Sequence, residues 1–130
     1  MPHVLKVYLS SLPIFLGIDA LWLFVIAKNF YDKQFEAFDR TARLAPAILV
    51  YLLIPLGVLL FAVPKANGNY LHALGWGALF GLIGYGIYDL TNHAILSNFS
   101  LKLTIVDIIW GMTVCGISAV IMTWLTKIIK

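Results

Sequence analysis

Four long apolar runs divide this chain, and they constrain its fold more than any other feature. The runs cover about residues 5–27, 44–63, 70–96 and 103–126. A helix needs about 20 mostly apolar residues to cross a bilayer. Backbone groups inside hydrocarbon have to pair with one another, which leaves helices as the form for runs of this type. The sequence therefore predicts an all-α integral membrane protein, with residues 1–130 forming one domain of four transmembrane helices in a compact bundle.

The composition excludes a soluble domain. Hydrophobic residues make up 62% of the chain and charged residues 12%, whereas soluble domains are about half apolar and about a quarter charged. A chain of 130 residues cannot bury that much apolar surface inside itself, so we expect membrane lipids to cover it. The net charge of +3, without a basic cluster or a nucleic-acid motif, predicts no nucleic-acid partner. We expect a multi-pass membrane protein.

The longest connection, residues 28–43, predicts an amphipathic segment lying in the headgroup layer between the first two helices. Phe30, Tyr31, Phe35 and Phe38 recur in it at about helical spacing, with charged residues between them. This connection and the one between the third and fourth helices share one side of the bundle, here called side B. Both termini and the remaining turn lie on the opposite side, side A. Four Lys and Arg on side A against five on side B leave the membrane orientation open.

Three aspartates lie inside the predicted helices, all in the side-B half. At about 1.5 Å per residue, Asp19 lies about 12 Å from the side-B end of its helix, Asp89 about 10 Å and Asp107 about 6 Å. Charges at this depth are costly, so such residues face the bundle interior or water and often mark a site. We therefore expect the three carboxyls to converge, with at least one of them holding a proton, a cation or a donor partner.

Aromatic and polar side chains share the helix faces of these aspartates. Trp22 and Trp110 each follow an aspartate by three residues, so each indole lies on the face of a carboxylate and carries an N–H that can donate to one. The third helix carries one polar stripe, formed by Tyr85, Asp89, Asn92 and His93. The predicted substrate- or proton-binding site is the set Asp19, Trp22, Tyr85, Asp89, Asn92, His93, Asp107 and Trp110.

No metal and no cofactor is predicted. Asp89 and His93 are four residues apart and could offer two ligands from one helical face, but no paired-histidine motif accompanies them. The sequence also has no glycine-rich phosphate loop, no nucleophile elbow and no Ser-His-Asp spacing. Catalytic residues therefore stay unassigned.

Gly77 and Gly81 form a GxxxG pair in the third helix. Small residues at this spacing let two helices approach closely in a membrane. The pair is compatible with a homodimer through the third helix and with packing inside one chain, and both alternatives stay open.

Several motifs along the chain are specific enough to compare with a family. They are the segment from Asp19 to Trp22, the pair Pro46-Ala47, the FAVP stretch ending at Pro64, the string Tyr88-Asp89-Leu90-Thr91-Asn92, and Asp107-x-x-Trp110-Gly111. With these motifs the whole chain resembles a family of small bacterial four-helix membrane proteins known as domain of unknown function 2177. His93 departs from the pattern, in which an apolar residue follows the asparagine. The resemblance implies the four-helix architecture and a bacterial inner membrane as the location, and no particular activity.

Three functions are compatible with this sequence. The preferred one is a carrier of a proton or of a small cationic or amphiphilic substrate, which predicts carboxylates reachable from water. The second is a membrane-embedded enzyme acting on a lipid or isoprenoid, with Asp89 or Asp107 as general acid or base and a crevice opening sideways between helices. The third is a non-catalytic accessory or structural subunit, which predicts a dry cluster with every carboxyl oxygen paired.

Overall fold

The structure, a computed structural model, describes residues 2–36, 38 and 43–130. Within these ranges the chain forms five helices and no strand. The helices are α1 (His3–Ile26), α2 (Lys28–Gln34), α3 (Leu44–Ala66), α4 (Tyr70–Ile95) and α5 (Leu101–Ile128). All except α2 are long and apolar enough to cross a membrane. The predicted all-α membrane fold with four spans is confirmed.

Local sequence explains where the last two helices begin. The side chains of Asn69 and Ser100 cap α4 and α5, each accepting a backbone N–H three residues further on at 3.0 Å. The turn before α4 runs through Asn67 and Gly68, whose φ angles of 49° and 79° lie in the left-handed region that these two residue types tolerate. The side-A turn is therefore tight, and it sets α3 and α4 side by side.

Two of the spanning helices contain a π-helical turn. In α1 it covers Trp22–Ile26, and in α3 it covers Val58–Ala62, directly after Gly57. A π-helical turn holds an extra residue and is frequent at functional sites. In α1 the wide turn begins at Trp22, one of the residues predicted for the site.

The most extensive helix contact joins α4 to α5. A Cβ atom added at Gly77 would collide with the backbone of Cys115, and one added at Gly81 would collide with the backbone of Gly111. The GxxxG pair therefore permits close packing inside one chain. A homodimer through the same two glycines stays a prediction.

The bundle has its packed apolar core toward side A and an opening in its side-B half. Its buried apolar core includes Val7, Phe15, Val58, Leu59, Ala62, Val114, Ala119 and Met122. α3 contacts α4 chiefly in the part that follows Gly57, whereas its earlier half diverges from α4. The ring of Phe80 lies against Gly57 where the two helices meet. The divergence leaves an opening between α3 and α4 in the side-B half.

The segment after α1 folds onto the side-B end of the bundle. It is helical over Lys28–Gln34, and positions 37 and 39–42 of the predicted headgroup segment lie outside the described residues. Its charged face pairs Lys28 with Asp32 at 2.7 Å. Its aromatic face packs on the start of α5 and forms a cluster, here called the aromatic seal, of Tyr31, Phe35, Phe38, Phe99 and Leu103. The seal covers the bundle interior on side B.

Candidate functional site

A cavity of about 580 Å³ lies between the four spanning helices in the side-B half. Apolar wall residues are Leu23, Ala47, Val50, Leu53, Ile54 and Phe80, and the polar ones are Asp19, Tyr51, Tyr85, Asp107 and Trp110. The wall residues Val50 and Leu53 of α3 and Gly84 and Tyr88 of α4 are exposed. The cavity therefore opens sideways between α3 and α4, where lipid would lie.

Asp19, on α1, is held by two neutral donors. Its side chain is 5% exposed. The Trp110 Nε1–H donates to Oδ1 at 2.8 Å, and the Tyr51 hydroxyl donates to Oδ2. Such bonds stabilise a carboxylate, but neither donor brings a positive charge.

Asp107, on α5, accepts a hydrogen bond from a residue of the short helix α2. Its Oδ1 accepts the Tyr31 hydroxyl at 2.8 Å, and the Tyr31 oxygen accepts the Trp22 Nε1–H at 3.2 Å. Burial raises the pKa of Tyr31 above its ordinary value, and the neighbouring Asp107 carboxylate raises it further. The hydroxyl therefore keeps its proton and remains a donor.

Asp89, on α4, is fully buried among the described residues, and none of them forms a hydrogen bond of ordinary geometry with either of its carboxyl oxygens. Its interacting neighbour is the carboxyl of Asp107. Two adjacent carboxyls cannot both ionise without strong repulsion. Within the part of the chain that the structure describes, the single ion pair is that of Lys28 with Asp32, so no base there neutralises the two carboxyls.

Tyr85 lies in the cavity wall, which it shares with Asp19 and Asp107. Its ring packs against Gly111, where a Cβ atom added to the glycine would not fit. Its hydroxyl interacts electrostatically with Asp19 and Asp107. Gly111 therefore makes the room that sets the ring in the cavity wall.

Two of the predicted residues take other positions. The His93 Nδ1–H donates to the backbone carbonyl of Phe99 at 2.7 Å, so its ring closes the connection between α4 and α5 and does not join the aspartates. Asn92 interacts with the hydroxyl of Tyr88, and the residue Tyr88 is 57% exposed. Both residues share a helical face with Asp89 by spacing, but His93 bonds to the connection that follows α4 and Asn92 interacts with Tyr88.

The structure gathers the remaining predicted residues, namely Asp19, Trp22, Tyr85, Asp89, Asp107 and Trp110. Sequence reasoning missed Tyr51 as a donor, and it placed Tyr31 in the headgroup layer. A signal for Tyr51 did exist, because it is the one polar side chain in the apolar run 44–63. Whether the gathered residues act as a binding site stays a prediction.

The surroundings of the carboxylate cluster agree with some of the features predicted for the three functions and not with others. The cavity, and the lack of a hydrogen bond of ordinary geometry from any described residue to the Asp89 oxygens, differ from the dry, fully paired cluster that a structural role predicts. Asp19 and Asp89 are also not open to side-B water, because they are buried and the aromatic seal covers that end. Asp19 and Asp107 are reached through the cavity, and its sideways opening is the feature that the enzyme alternative predicts.

Fold and site together define a multi-pass membrane protein with a carboxylate-lined cavity between four spanning helices. The chain belongs to the DUF2177 family of predicted membrane proteins, whose family model matches residues 4–124. No curated protein and no solved structure matches the chain significantly.

Proposed function

We propose that this protein is a carrier that binds an amphiphilic cation in the cavity between its four spanning helices. The observation that carries the proposal is the make-up of the cavity wall, which is apolar except for two carboxyls and their aromatic neighbours. A ligand that fits such a wall has a positive charge at one end and apolar groups elsewhere.

Charge supports a cation over an anion. Asp19 and Asp107 line the cavity, whereas no Lys, Arg or His belongs to its described wall. The bonds that hold Asp19 come from an indole and a phenol, which leave its negative charge uncompensated. An uncompensated carboxylate at bilayer depth is costly, and a bound cation would offset that cost.

The aromatic neighbours support the same ligand class. Trp110 and Tyr51 contribute to the wall beside Asp19, and aromatic faces attract cations while they also accept apolar groups. A small hydrated metal ion would gain little from such a wall, whereas an organic cation can contact both its carboxylates and its rings.

The opening between α3 and α4 supports loading from the bilayer. The aromatic seal covers side B, and a packed apolar core fills the side-A half. An amphiphile dissolved in the membrane reaches the cavity without crossing either barrier. Transport then requires a second conformation that opens the cavity to water. We keep a bacterial inner membrane as the expected location.

An enzyme acting on a lipid or isoprenoid is the second candidate, because the same sideways opening admits a lipid chain. Asp107, half-buried in the wall, would serve as the general acid or base. The wall offers no cationic side chain for a phosphate, and no group of three potential metal ligands occurs in the described residues. A lipid without a phosphate at the reacting end is therefore the substrate class for this alternative.

Thermal unfolding in detergent tests the carrier proposal. The probes are tetraphenylphosphonium and tetraphenylborate, which have the same shape and opposite charges. We expect the cation to stabilise the wild type by about 3 kcal/mol at about a hundred times its Kd, and the anion to have no effect. Equal stabilisation by both ions would contradict the proposal, and turnover of an added neutral lipid would favour the enzyme.

Two glycines of α4 give a matched pair of variants for this experiment. Gly84 lines the cavity and Gly75 does not, and both are exposed with no atom within 4 Å of an added Cβ. Gly84→Phe should fill the cavity and abolish stabilisation by the cation, whereas Gly75→Phe should retain it. Transport of the cation into proteoliposomes by the wild type, and its loss in Gly84→Phe, then separates a carrier from a binding protein.

A further inference from the structure

The carboxyls of Asp89 and Asp107 are adjacent, and Asp89 uses neither of its oxygens in a hydrogen bond of ordinary geometry with a described residue. Resting on the proposed function, we propose that Asp89 and Asp107 hold one proton between them at neutral pH, and that a cation entering the cavity displaces this proton. The site is then a proton–cation exchanger.

Burial and charge decide how many protons the two carboxyls hold. Asp89 is 0% exposed, and two charged carboxylates in contact inside a membrane would each raise the energy of the other. One shared proton removes the repulsion and leaves a single negative charge. The shared proton then belongs to the pair and not to one residue.

Among the described residues, the groups that interact with this pair bring no positive charge. They are Tyr31 from α2 and Tyr85 and Tyr88 from α4, and Tyr85 also interacts with Asp19 of α1 and Tyr51 of α3. The nearest histidine along α4, His93, is bonded to the Phe99 carbonyl. Neutral hydroxyls and one further carboxylate do not compensate a negative charge, so a proton or a cation has to do so.

Asp107 connects the pair to the cavity. It contributes to the cavity wall, while Asp89 lies behind it and does not. A monovalent cation arriving at Asp107 brings one positive charge, and the shared proton leaves through the cavity as the cation takes its place. The proton reaches water in the conformation in which the cavity opens to water. The net charge of the site stays constant, with about one proton released for each cation bound.

Calorimetry on the full chain in detergent measures this exchange. Tetraphenylphosphonium is titrated near neutral pH in two buffers that differ in ionisation enthalpy, and the difference between the two heats gives the number of protons released. We expect about one proton per cation for the wild type, with an affinity that rises up to about tenfold per pH unit. Binding without proton release would overturn the inference.

Asp89→Asn supplies the decisive variant because the amide mimics a protonated carboxyl and leaves Asp107 charged. We expect it to bind the cation without proton release and with an affinity independent of pH. Asp32→Asn, at the exposed ion pair with Lys28, is the matched control and should release the proton as the wild type does. Proton release that persists in Asp89→Asn would contradict the assignment.

Infrared spectroscopy separates this inference from the proposed function, because it needs no ligand. In protein labelled with ¹³C at the aspartate carboxyls, we expect the C=O band of a protonated carboxyl at neutral pH in the wild type and its absence in Asp89→Asn. A wild type without the band would overturn the shared proton and leave cation binding intact. A wild type with the band that binds no cation would overturn the proposed function and, with it, the exchange step.

Discussion

The indole rings of Trp22 and Trp110 lie stacked, with centroids 4.5 Å apart and an angle of 6° between their planes. Each indole N–H supports the aspartate of the opposite helix, one directly and the other through a tyrosine. Trp110 of α5 donates to Asp19 of α1. Trp22 of α1 donates to Tyr31, whose hydroxyl donates to Asp107 of α5. The exchange of partners ties α1 and α5 together at the depth of the carboxyls.

Replacing Trp110 tests the direct half of this exchange. Trp110→Phe keeps an aromatic ring and removes the N–H, so Oδ1 of the buried Asp19 loses its donor. We expect the free energy of unfolding in detergent to fall by about 1–3 kcal/mol. Trp124→Phe is the matched control, because Trp124 is 49% exposed on the outside of the bundle, and it should change stability by less than about 0.5 kcal/mol. Equal losses in the two variants would contradict this role of Trp110.

Replacing Tyr31 tests the other half of this exchange of partners, and the effect of the replacement on stability depends on pH. Because the folded-state pKa of Tyr31 lies above its ordinary value, the stability that its hydroxyl contributes is present below about pH 10 and is lost as the pH rises further. We expect the wild type to lose more unfolding free energy than Tyr31→Phe between neutral pH and about pH 11. At neutral pH, Tyr31→Phe should be less stable by about 1–2 kcal/mol.

Denaturant titrations across this pH range make the measurement. Tyr70→Phe, on side A and 41% exposed, is the control and should keep the alkaline loss seen in the wild type. If Tyr31→Phe and the wild type lose stability in parallel, the hydroxyl does not serve Asp107.

Helix packing predicts that replacement by Ala has different effects on stability at two glycines of α4. Gly81→Ala places a Cβ atom against the Gly111 backbone, which cannot yield as a flexible side chain would, and should cost about 1–3 kcal/mol. Gly75→Ala meets no atom within 4 Å and should be neutral or slightly stabilising. Thermal unfolding checks both variants. A loss of the same size at Gly75 would show that the cost at Gly81 does not come from packing on α5.

The aromatic seal predicts which reagents reach the carboxyls. Dicyclohexylcarbodiimide partitions into the bilayer and adds to protonated carboxyls, so it should modify Asp89 or Asp107 in the wild type. A water-soluble carbodiimide should not modify either of these two residues. Phe99 is 3% exposed within the seal, and Phe99→Ala should admit the water-soluble reagent and reduce stability by about 3 kcal/mol.

Mass spectrometry of the modified peptides reads out this experiment. Phe61→Ala removes a ring that is 66% exposed on α3 and should leave the labelling pattern unchanged. Modification of the unaltered wild type by the water-soluble reagent would show that side B is open to water.

The spanning helices could be predicted because their cause is local. Four apolar runs of sufficient length are visible in the sequence, and the structure has spans at His3–Ile26, Leu44–Ala66, Tyr70–Ile95 and Leu101–Ile128. The depth of the aspartates followed from counting residues at a fixed rise. These properties depend on one helix at a time, so no knowledge of neighbouring helices was needed.

The partners of the carboxyls could not be predicted because they depend on how helices turn toward one another. α3 is apolar on nearly every side, so its sequence does not say that Tyr51 faces Asp19. Tyr31 belongs to an amphipathic segment, and only the return of that segment onto the bundle brings its hydroxyl to Asp107. His93 shares a helical face with Asp89 by spacing, but its ring finds the Phe99 carbonyl in the following connection.

The π-helical turn at Trp22–Ile26 takes up one surplus residue of α1. A π turn of five residues covers about the same rotation as four residues of an α-helix, so the helix faces before and after it stay aligned. If the same residues formed a regular α-helix, everything after Trp22 would rotate by about 100° relative to everything before it. Asp19 would stay beside Trp110, but the segment that carries Tyr31 would turn away from Asp107. The wide turn thus keeps the two halves of the carboxylate cluster in register.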